Sequence, residues 1–261
     1  LRCFDNDNII HVDNSIDPVR DKETIDIELQ LKDLETVQKR LERVKRTAKT
    51  GNKEAQAELV VLLKVEETLL QGTSVRSLDF SEKEIEFVQS LQFITAKPVL
   101  YVCNVDENSA VSGNEYVEKV REAVKDEDAE VIVLAVGTEA DITELEDYEE
   151  RQMFLEDIGL EEAGVSRLIR SAYKLLNLQT YFTAGVKEVR AWTVFIGATA
   201  PQAAGVIHTD FEKGFIRAET ISYEDYATYG SEAKVKEAGK MRVEGKDYIV
   251  KDGDVMHFRF N

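Results

Sequence analysis

The segment KPVLYVCNVDENS, residues 97–109, shows most directly how the chain is organised. Its apolar run, residues 99–103, ends at Asn104, and two carboxylates, Asp106 and Glu107, follow at once. A short apolar run bounded by polar residues is typical of a buried strand. We interpret the segment as a strand that either delivers an amide and an acid to a ligand or ends in a solvated polar turn.

A second apolar run, residues 131–136, follows further along the chain. Between the two runs, residues 114–125 carry Val117 and Val120 at helical spacing. Two strands that are apolar on both faces and joined by a helix are typical of a parallel sheet covered by helices. The sequence therefore predicts an α/β fold here, followed by helical structure over residues 141–176.

Residues 24–71 are predicted to form two helices. Apolar residues recur every seven positions in the first, and Gly51 follows a last turn that contains Lys49, as expected at a helix end. A short break between two such helices gives an antiparallel hairpin. Because the apolar seam is narrow, we expect a coiled-coil arm that protrudes; the alternative is two ordinary helices packed on the core.

After Asn177 the long helical segments give way to short runs typical of β-strands. Short β-like runs at 189–195 and 215–221 flank a helix that begins near residue 200, and alternation returns from 248 to the end at residue 261. One helix against a small mixed sheet is an α+β arrangement. We predict a separate α+β domain over residues 177–261.

Charge is unevenly spread along the 261 residues. The formal net charge is −18, of which residues 1–176 carry −17 and residues 177–261 carry −1. A strongly acidic surface opposes non-specific binding to nucleic acid, which depends on neutralising phosphates. The nearly neutral last third is therefore the part expected to approach RNA without strong repulsion.

Neither a membrane segment nor a disulfide framework is predicted. Every apolar stretch is much shorter than the roughly 20 residues that cross a bilayer. The two cysteines, Cys3 and Cys103, are expected to be reduced and buried, as in a cytoplasmic protein. Because the chain starts at Leu1 in the middle of a pattern, we expect it to be part of a longer protein.

Asn104 is the strongest candidate for a binding residue. In an open parallel sheet, ligands bind at the carboxyl ends of the strands, where Asn104 and residues 135–137 are predicted to lie. An Asn-x-x-Asp pattern suits guanine, which offers two adjacent N–H donors to a carboxylate. Glu107 in place of aspartate weakens that fit, and Val105 would leave an apolar surface on which a base can lie.

Other candidate residues have simpler interpretations. The three histidines lack metal-ligand spacing, so a structural or surface role is expected for them. The aromatic residues after 177 are expected to form a small core rather than a base-stacking platform. A modest basic patch that could contact RNA or protein comprises Lys234, Lys236, Lys240, Arg242, Lys246 and Lys251.

Several segments together resemble one family. They are CFDNDNIIHVDNSIDPVRDKETIDIELQLKDLE (3–35), NVDE (104–107), LNLQTYFTAGVKEVRAWTVFIGATAPQAAGVIHTDFEKGFIRAETISYEDY (176–226) and EAGKMRVEGKDYIVKDGDVMHFRFN (237–261). These closely resemble the YchF / Obg-like ATPase family of P-loop NTPases. The resemblance implies part of a P-loop G domain (1–23 and 81–176), an inserted antiparallel coiled-coil arm (24–80) and a ubiquitin-like β-grasp TGS domain (177–261).

The resemblance also implies a nucleotide site. The family reads adenine with Asn-x-x-Glu, places an aromatic residue over the purine's other face, and uses the loop after the next strand for backbone contacts. In this sequence the matching residues are Asn104, Val105, Glu107, Phe4, Ala135, Val136 and Gly137.

One family motif does not occur in these residues. No G-x-x-x-x-G-K-[ST] phosphate loop is found, so the catalytic residues and the Mg²⁺ ligands are expected before Leu1. Because phosphoryl transfer depends on positioning and neutralising the phosphates, this chain alone is expected to be inactive.

The resemblance implies a cytoplasmic protein that binds a ribosome or ribosomal subunit, with RNA contacts through the TGS domain and arm and no membrane contact. It implies an ATPase when the protein is intact. Two alternatives stay open: a non-catalytic module that binds ribosome, RNA or protein, and a GTPase proper. The sequence does not indicate an oligomeric state.

Overall fold

The computed structural model describes residues 1–185 and 188–261. The chain divides into two compact units, Leu1–Ser171 and Ala172–Asn261. Each unit has its own hydrophobic clusters.

The first unit contains a parallel sheet and helices around it. Its elements in chain order are α1 (Pro18–Ala48), α2 (Lys53–Leu70), α3 (Glu82–Leu91), β1 (Val99–Asn104), α4 (Glu115–Ala123), β2 (Ala129–Leu134), α5 (Val136–Glu144) and α6 (Tyr148–Asp157). Helix α7 (Gly164–Leu175) spans the division between the units.

The second unit is built around a mixed sheet. Its elements are β3 (Leu178–Ala184), β4 (Val189–Phe195), α8 (Ala200–Ile207), α9 (Thr209–Lys213), β5 (Phe215–Ile221), α10 (Tyr223–Tyr229), α11 (Glu232–Glu237), β6 (Arg242–Glu244) and β7 (Val255–Phe260).

Strands β1 and β2 form the predicted parallel pair. Their register runs from Val99 opposite Ala129 to Asn104 opposite Leu134. On the other side of β1, Arg2 forms a parallel bridge with Asn104. The two strands therefore end side by side at one edge of the sheet.

The predicted second strand is displaced by two residues, because the observed strand β2 begins at Ala129 and ends at Leu134. Ala135 is the N-cap of α5 and Val136 is its first residue, so the apolar run of 131–136 crosses from a strand into a helix. Hydrophobicity alone cannot separate a buried strand end from the first turn of a buried helix. The helical stretch predicted at 141–176 is likewise divided among α5, α6 and α7.

Helices α1 and α2 form an antiparallel hairpin. Gln30 Nε2 donates to Gly72 O at 3.1 Å, and further along the hairpin Arg40 Nε donates to Glu58 Oε1 at 2.6 Å. The buried seam between the helices is formed by Val37, Leu41, Val44, Val61, Leu62 and Val65.

Helix α1 begins six residues before its predicted start at residue 24. The Asp17 carboxylate accepts from the N–H groups of Val19 and Arg20, both at 3.1 Å, and Pro18 occupies the first helical position. An aspartate cap followed by proline is a strong helix start because proline has no N–H to leave unpaired. The heptad pattern misses it because the apolar seam begins later.

The base of the hairpin is held by one buried carboxylate. Asp33 is 2% exposed and accepts from Ile94 N at 2.9 Å, from Thr95 N at 2.7 Å and from Thr95 Oγ1 at 2.7 Å. Three donors converging on one buried carboxylate compensate for its lost hydration. Asp33 thus fixes α1 to the short turn Ile94–Ala96 that precedes β1.

A second polar contact joins α1 to the sheet. Glu127 accepts from Lys22 Nζ at 2.7 Å, from Tyr101 Oη at 2.8 Å and from Arg76 Nη2 at 3.3 Å. Burial raises the pKa of Glu127, but these donors outweigh it and the net pKa lies below the ordinary 4.5. Burial and the same carboxylate raise the pKa of Tyr101 to about 12.

This network predicts a specific pH dependence of stability. A carboxylate whose pKa is lowered by folding stabilises the fold above its unfolded pKa, and that contribution is lost as the pH falls through the folded pKa. Glu127→Gln should therefore lower the free energy of unfolding at pH 7, and the difference from wild type should shrink below about pH 4.5. Urea denaturation at both pH values measures this. Glu118→Gln, at an exposed ion pair with Arg121, is the control, and an equal deficit for Glu127→Gln at both pH values would contradict the assignment.

The second unit has the strand order β4-β3-β7-β5-β6. Strand β7 is parallel to β3 and antiparallel to β5, and β3 with β4 and β5 with β6 are antiparallel pairs. Tyr181 is fully buried, and its hydroxyl donates to Ala203 O at 2.8 Å, which joins β3 to α8. The sheet and α8 therefore share one core.

The strands at 189–195 and 215–221 lie where they were predicted. Residues 248–250 form only a single bridge, Thr199 with Ile249, in place of a strand. Among the aromatic residues, Phe215 and Phe258 are buried as expected, whereas Phe195 is 66% exposed. Both cysteines are free and buried, and no described helix is long and apolar enough to cross a membrane.

Candidate nucleotide-binding site

Asn104 lies at the edge where β1 and β2 end. Its side chain is half-buried, and its Oδ1 accepts from the Val136 N–H at 3.0 Å. This bond joins the end of β1 to the segment that follows β2. It also assigns the amide, because only the oxygen can face an N–H donor.

The bond with Val136 has a structural consequence for α5. The N-cap residue of this helix is Ala135, which has no side chain able to accept from the free N–H groups of the first turn. Asn104 supplies the missing acceptor from the neighbouring strand. The asparagine therefore caps α5 from a distance of 32 positions in the sequence.

The other half of the Asn104 amide has no acceptor among residues 1–185 and 188–261. Its Nδ2 carries two N–H donors, and the described hydrogen bonds of this side chain involve only Oδ1. A fixed amide with unused donors at a sheet edge can bind a ring acceptor such as the N7 of a purine.

Val105 does not have the exposed position expected from the sequence. Its side chain is 4% exposed and lies in the hydrophobic cluster of the first unit, and its N–H donates to Leu134 O at 2.9 Å. An apolar side chain directly after a buried strand packs inward when the backbone continues the ladder. The expected apolar surface beside the base is therefore not supplied by Val105.

The two acids that follow have different environments. The Asp106 carboxylate accepts from Ser109 N at 3.0 Å and so caps the short turn Glu107–Ser109. Glu107 is exposed at the first position of that turn. Glu107 is thus the carboxylate that stays available to a ligand.

Phe4 follows the bridge between Arg2 and Asn104 and is half-buried. The Arg2 guanidinium carbon lies 4.9 Å from the centroid of the Phe4 ring, and Arg2 Nε donates to Phe4 O at 3.2 Å. A second bond, from Arg2 Nη1 to Ile9 O at 2.9 Å, holds the loop that follows. Sequence reasoning missed Arg2, because nothing in the local pattern distinguishes it from a surface cation.

The predicted loop at 135–137 forms the first turn of α5. Ala135 is buried, whereas Val136 is 50% exposed and Gly137 is exposed. A Cβ added at Gly137 would meet nothing within 4 Å, so the space beside this backbone is open. The sequence predicted only a backbone contact for Val136. Its exposed side chain, next to Asn104, also offers an apolar surface.

Among the residues that the structure describes, the acids next to Asn104, Asp106 and Glu107, do not belong to a group of three or more potential metal ligands. The described residues bring together one such group, His11 with Asp13 and Asp21, whose ligand atoms lie within 4.8 Å of one another. Arg20 already pairs with Asp21 at 2.9 Å and with Asp13 at 3.5 Å, and His11 Nε2 lies 3.0 Å from Asp21 Oδ2. Mg²⁺ prefers an octahedral set of oxygen ligands, so this cation-filled cluster does not fit it.

Comparison with known proteins identifies the family. Residues 178–261 match the family YchF-GTPase_C, described as "Protein of unknown function (DUF933)". The "Ribosome-binding ATPase YchF" of Escherichia coli O157:H7 is 56% identical over 261 residues, which are 100% of this chain and 71% of that protein. The chain belongs to the YchF family.

Two further YchF proteins support this assignment. The "Ribosome-binding ATPase YchF" of Bacillus subtilis (strain 168) is 52% identical over 263 residues and is covered over 72% of its length. The structure of the Schizosaccharomyces pombe YchF GTPase has a TM-score of 0.84 and 36% identity, and the match covers 99% of this chain and 70% of that one. The resemblance to the YchF family inferred from the sequence is therefore confirmed.

Proposed function

We propose that this chain reads the adenine base of ATP at the edge where β1 and β2 end. The observation that carries the proposal is the bond from Val136 N–H to Asn104 Oδ1, which fixes the amide and leaves its Nδ2 donors unused. Residues that are set in place before the ligand arrives lower the entropic cost of binding. The sheet edge at Asn104 is therefore preorganised to bind a planar ring that carries a hydrogen-bond acceptor.

The proposed contacts follow from the chemistry of the base. Asn104 Nδ2 donates to the purine N7, an acceptor that adenine and guanine share. Glu107 accepts from the exocyclic amino group of adenine. Phe4 packs against one face of the ring and Val136 against the other. Val136 thus supplies the apolar surface that the sequence assigned to Val105.

Hydrolysis is proposed for the intact protein only. The 261 residues contain no G-x-x-x-x-G-K-[ST] motif, and positioning the phosphates supplies most of the catalysis in this chemistry. We expect these residues to bind nucleotide without turnover. We assign Mg²⁺ to the part of the intact protein that binds the phosphates, because neither Asp106 nor Glu107 belongs to a group of three potential metal ligands among the described residues.

The wider role is proposed from the relatives. The E. coli and B. subtilis relatives are named ribosome-binding ATPases, and we propose that this protein also binds the ribosome and acts in the cytoplasm. The hairpin of α1 and α2 is proposed as the coiled-coil arm, and the α8-containing sheet of the second unit as the TGS domain. Nucleotide binding would bias the arrangement of these parts, as nucleotide switches do in general.

Glu107→Asp tests the reading of the base. Shortening the acid restores the Asn-x-x-Asp pattern that suits guanine, so the ratio of GTP affinity to ATP affinity should rise about tenfold or more, the discrimination that one good base contact provides. Calorimetric or NMR titrations of both nucleotides give the ratio. Glu118→Asp, at an exposed acid of α4, is the matched control and should leave the ratio unchanged.

The same titrations decide between the alternatives. The S. pombe relative is named a GTPase, and a wild-type chain that prefers GTP would favour that function for this protein too. A ratio unaffected by Glu107→Asp would remove Glu107 from the site. Failure of both nucleotides to bind, even after the chain is extended at its amino end, would leave the non-catalytic binding module as the better account.

A further inference from the structure

Strand β4 is the long open edge of the sheet in the second unit. In the strand order β4-β3-β7-β5-β6, it has a neighbouring strand on one side only. It runs over seven residues, Val189–Phe195, whereas the strand at the opposite edge, β6, has only three. Short edge strands and prolines protect a sheet from pairing with another chain, and β4 has neither protection. Its outer edge is therefore available to a further strand.

Alternate residues of β4 direct their backbone groups away from β3. In an antiparallel pair, residues that bond to the neighbouring strand alternate with residues that do not. Ile196 N–H donates to Asn177 O at 2.8 Å. Glu188 O likewise accepts from Gly185 N–H at 2.9 Å, so the even-numbered residues of this stretch face β3. The residues whose N–H groups point outward are Val189, Ala191, Thr193 and Phe195.

An apolar groove lies beside the carboxyl end of this edge. It has a volume of about 540 Å³ and is lined by residues 193–196 and by helix α8, which contributes Gln202, Gly205 and Val206. Ile196 is 52% exposed and Val206 is 46% exposed. A strand added to β4 would cover these side chains, and the removal of apolar surface from water favours binding. The groove therefore suits apolar side chains of a partner.

Arg190 places a positive charge at the other end of the strand. Its guanidinium carbon lies 4.0 Å from the centroid of the Trp192 ring, and Trp192 Nε1 donates to Thr183 Oγ1 at 2.9 Å. Within residues 1–185 and 188–261, Arg190 has no carboxylate within 4.0 Å and its guanidinium donates to no acceptor. A guanidinium stacked on an aromatic ring keeps its N–H groups free in its own plane, where they match a carboxylate. Arg190 is therefore available to an acidic side chain of a partner.

We propose that the outer edge of β4 binds an extended segment of another protein, with apolar side chains and one acidic side chain. This inference goes beyond the proposed function and does not depend on the site at Asn104. The occupant is chosen by the surface itself. A row of outward backbone groups is satisfied by a further strand, the groove by apolar side chains, and the charge of Arg190 by a carboxylate.

The added segment runs antiparallel to β4, the arrangement in which pairing is the more stable. Residues directly opposite each other in such a pair carry their side chains on the same face. The acid then lies opposite Arg190, and the residues two and four positions before it lie opposite Trp192 and Val194, which belong to the core shared with α8. The proposed partner segment therefore has the pattern apolar-x-apolar-x-acid.

A second copy of this chain is a poorer partner for the same edge. Two β4 strands that pair about a twofold axis at Trp192 bring their outward backbone groups together, with Val189 opposite Phe195. In that register Arg190 lies opposite Val194. Strand β4 contains no acidic residue, so pairing within it gives Arg190 no carboxylate. The acidic segment of a different protein matches the charge of this edge better.

An NMR titration of the ¹⁵N-labelled 261-residue chain with a synthetic peptide tests the proposal. The peptide acetyl-Thr-Ile-Thr-Val-Thr-Glu-Thr-amide has the proposed pattern. Its binding should shift the backbone amide protons of Ala191, Thr193 and Phe195 downfield, because their N–H groups gain hydrogen bonds. The amides of Trp192 and Val194 keep their bonds to β3 and should shift much less. Absence of this alternation at saturating peptide would overturn the proposal.

Two variants at one position separate strand addition from side-chain contacts. Ala191→Pro removes an outward N–H but no bond to β3, and proline is tolerated on the outer side of an edge strand. It should weaken peptide binding about tenfold or more, because a hydrogen bond is lost and the ring obstructs the added strand. Ala191→Val keeps the N–H at the same exposed position and should bind as wild type does. Equal affinities of Ala191→Pro and wild type would contradict strand addition.

Val206→Glu provides a second measurement if circular dichroism shows that Ala191→Pro does not fold. It places a charge on the α8 side of the groove, at a side chain that is 46% exposed. Peptide binding should weaken about fivefold or more, because an apolar side chain of the peptide would have to desolvate the carboxylate. Unchanged affinity would remove the groove from the proposed interface.

Charge reversal tests the role of Arg190. Lysine in place of the glutamate of the peptide should weaken binding to wild type about twofold to fivefold, and Arg190→Glu should reverse this preference. A preference that Arg190→Glu does not change would overturn the proposed acidic partner.

Analytical ultracentrifugation distinguishes the two occupants. The chain should be monomeric with and without the peptide. A wild-type dimer that Ala191→Pro abolishes would assign the edge to a second copy and overturn the proposal. The titration with ATP should be unchanged by Ala191→Pro, which separates this test from those of the site at Asn104.

Discussion

Asn104→Ala should weaken ATP binding by about tenfold to a hundredfold, because one bidentate or paired base contact is worth about 1–3 kcal/mol. The change removes the Nδ2 donors proposed for the purine and the Oδ1 acceptor for Val136 N–H. The loss of the acceptor leaves the first turn of α5 without its cap, so the loop beside the base is also less well positioned. Titration with ATP monitored by NMR measures the affinity, even in the millimolar range.

Two variants separate the parts of this effect. Asn104→Asp keeps an oxygen for Val136 N–H but lacks the donors, so it should preserve the loop and still weaken binding. Asn108→Ala removes an exposed amide of the short turn Glu107–Ser109 and should have little effect. If Asn104→Asp binds ATP as well as wild type does, Asn104 acts only as a cap and the proposed base contact is wrong.

Asp33→Ala should produce the largest loss of stability in the first unit, about 3–4 kcal/mol, as expected when one partner of a buried, charged hydrogen-bond network is removed. The substitution leaves the N–H groups of Ile94 and Thr95 and the Thr95 hydroxyl without their acceptor. Because Thr95 is 1% exposed, water cannot easily replace the carboxylate. Urea denaturation followed by circular dichroism measures the change in unfolding free energy.

A control for this prediction lies two residues away on the same helix. Glu35 is exposed and contacts Lys32 and Lys39, so Glu35→Ala removes a carboxylate from α1 without leaving buried donors unpaired. Its effect should be much smaller than that of Asp33→Ala, since exposed ion pairs contribute little. Similar losses for the two variants would mean that Asp33 contributes mainly through helix formation and not through its bonds to Ile94 and Thr95.

The elements that were predicted well are those whose pattern is local. The apolar run that ends at Asn104, the helix that begins after Asn114 and the strand at 215–221 each carry their own signal in consecutive residues. Asn114 accepts from the N–H groups of Tyr116 and Val117, as a helix cap that can be recognised from sequence does.

The details of the site could not be predicted, because they depend on which segments become neighbours. The bond between Asn104 and Val136 exists because β1 and β2 end in register. Val105 was expected to offer an apolar surface to the base, yet its N–H continues the ladder to Leu134 and its side chain turns inward. The exposed apolar residue beside Asn104 is instead Val136. Their contact joins residues 32 positions apart, which no local sequence pattern predicts.

The basic residues at the turn between α1 and α2 were missed for a different reason. The charge of residues 1–176 was summed as a whole, and a net of −17 conceals five cations within residues 43–54. The predicted hairpin already placed these residues at its turn, but only the structure shows that the ion pairs stop at Arg40. Charge counted over a structural element is more informative than charge counted over a domain.

The most direct test of the nucleotide site is an NMR titration of the ¹⁵N-labelled chain with ATP. We expect the side-chain amide of Asn104 and the backbone amides of Val136 and Gly137 to shift together as ATP is added, and Asn104→Ala to abolish the shifts of the two backbone amides. Shifts confined to other parts of the chain, with these three groups unchanged at saturating ATP, would contradict the account.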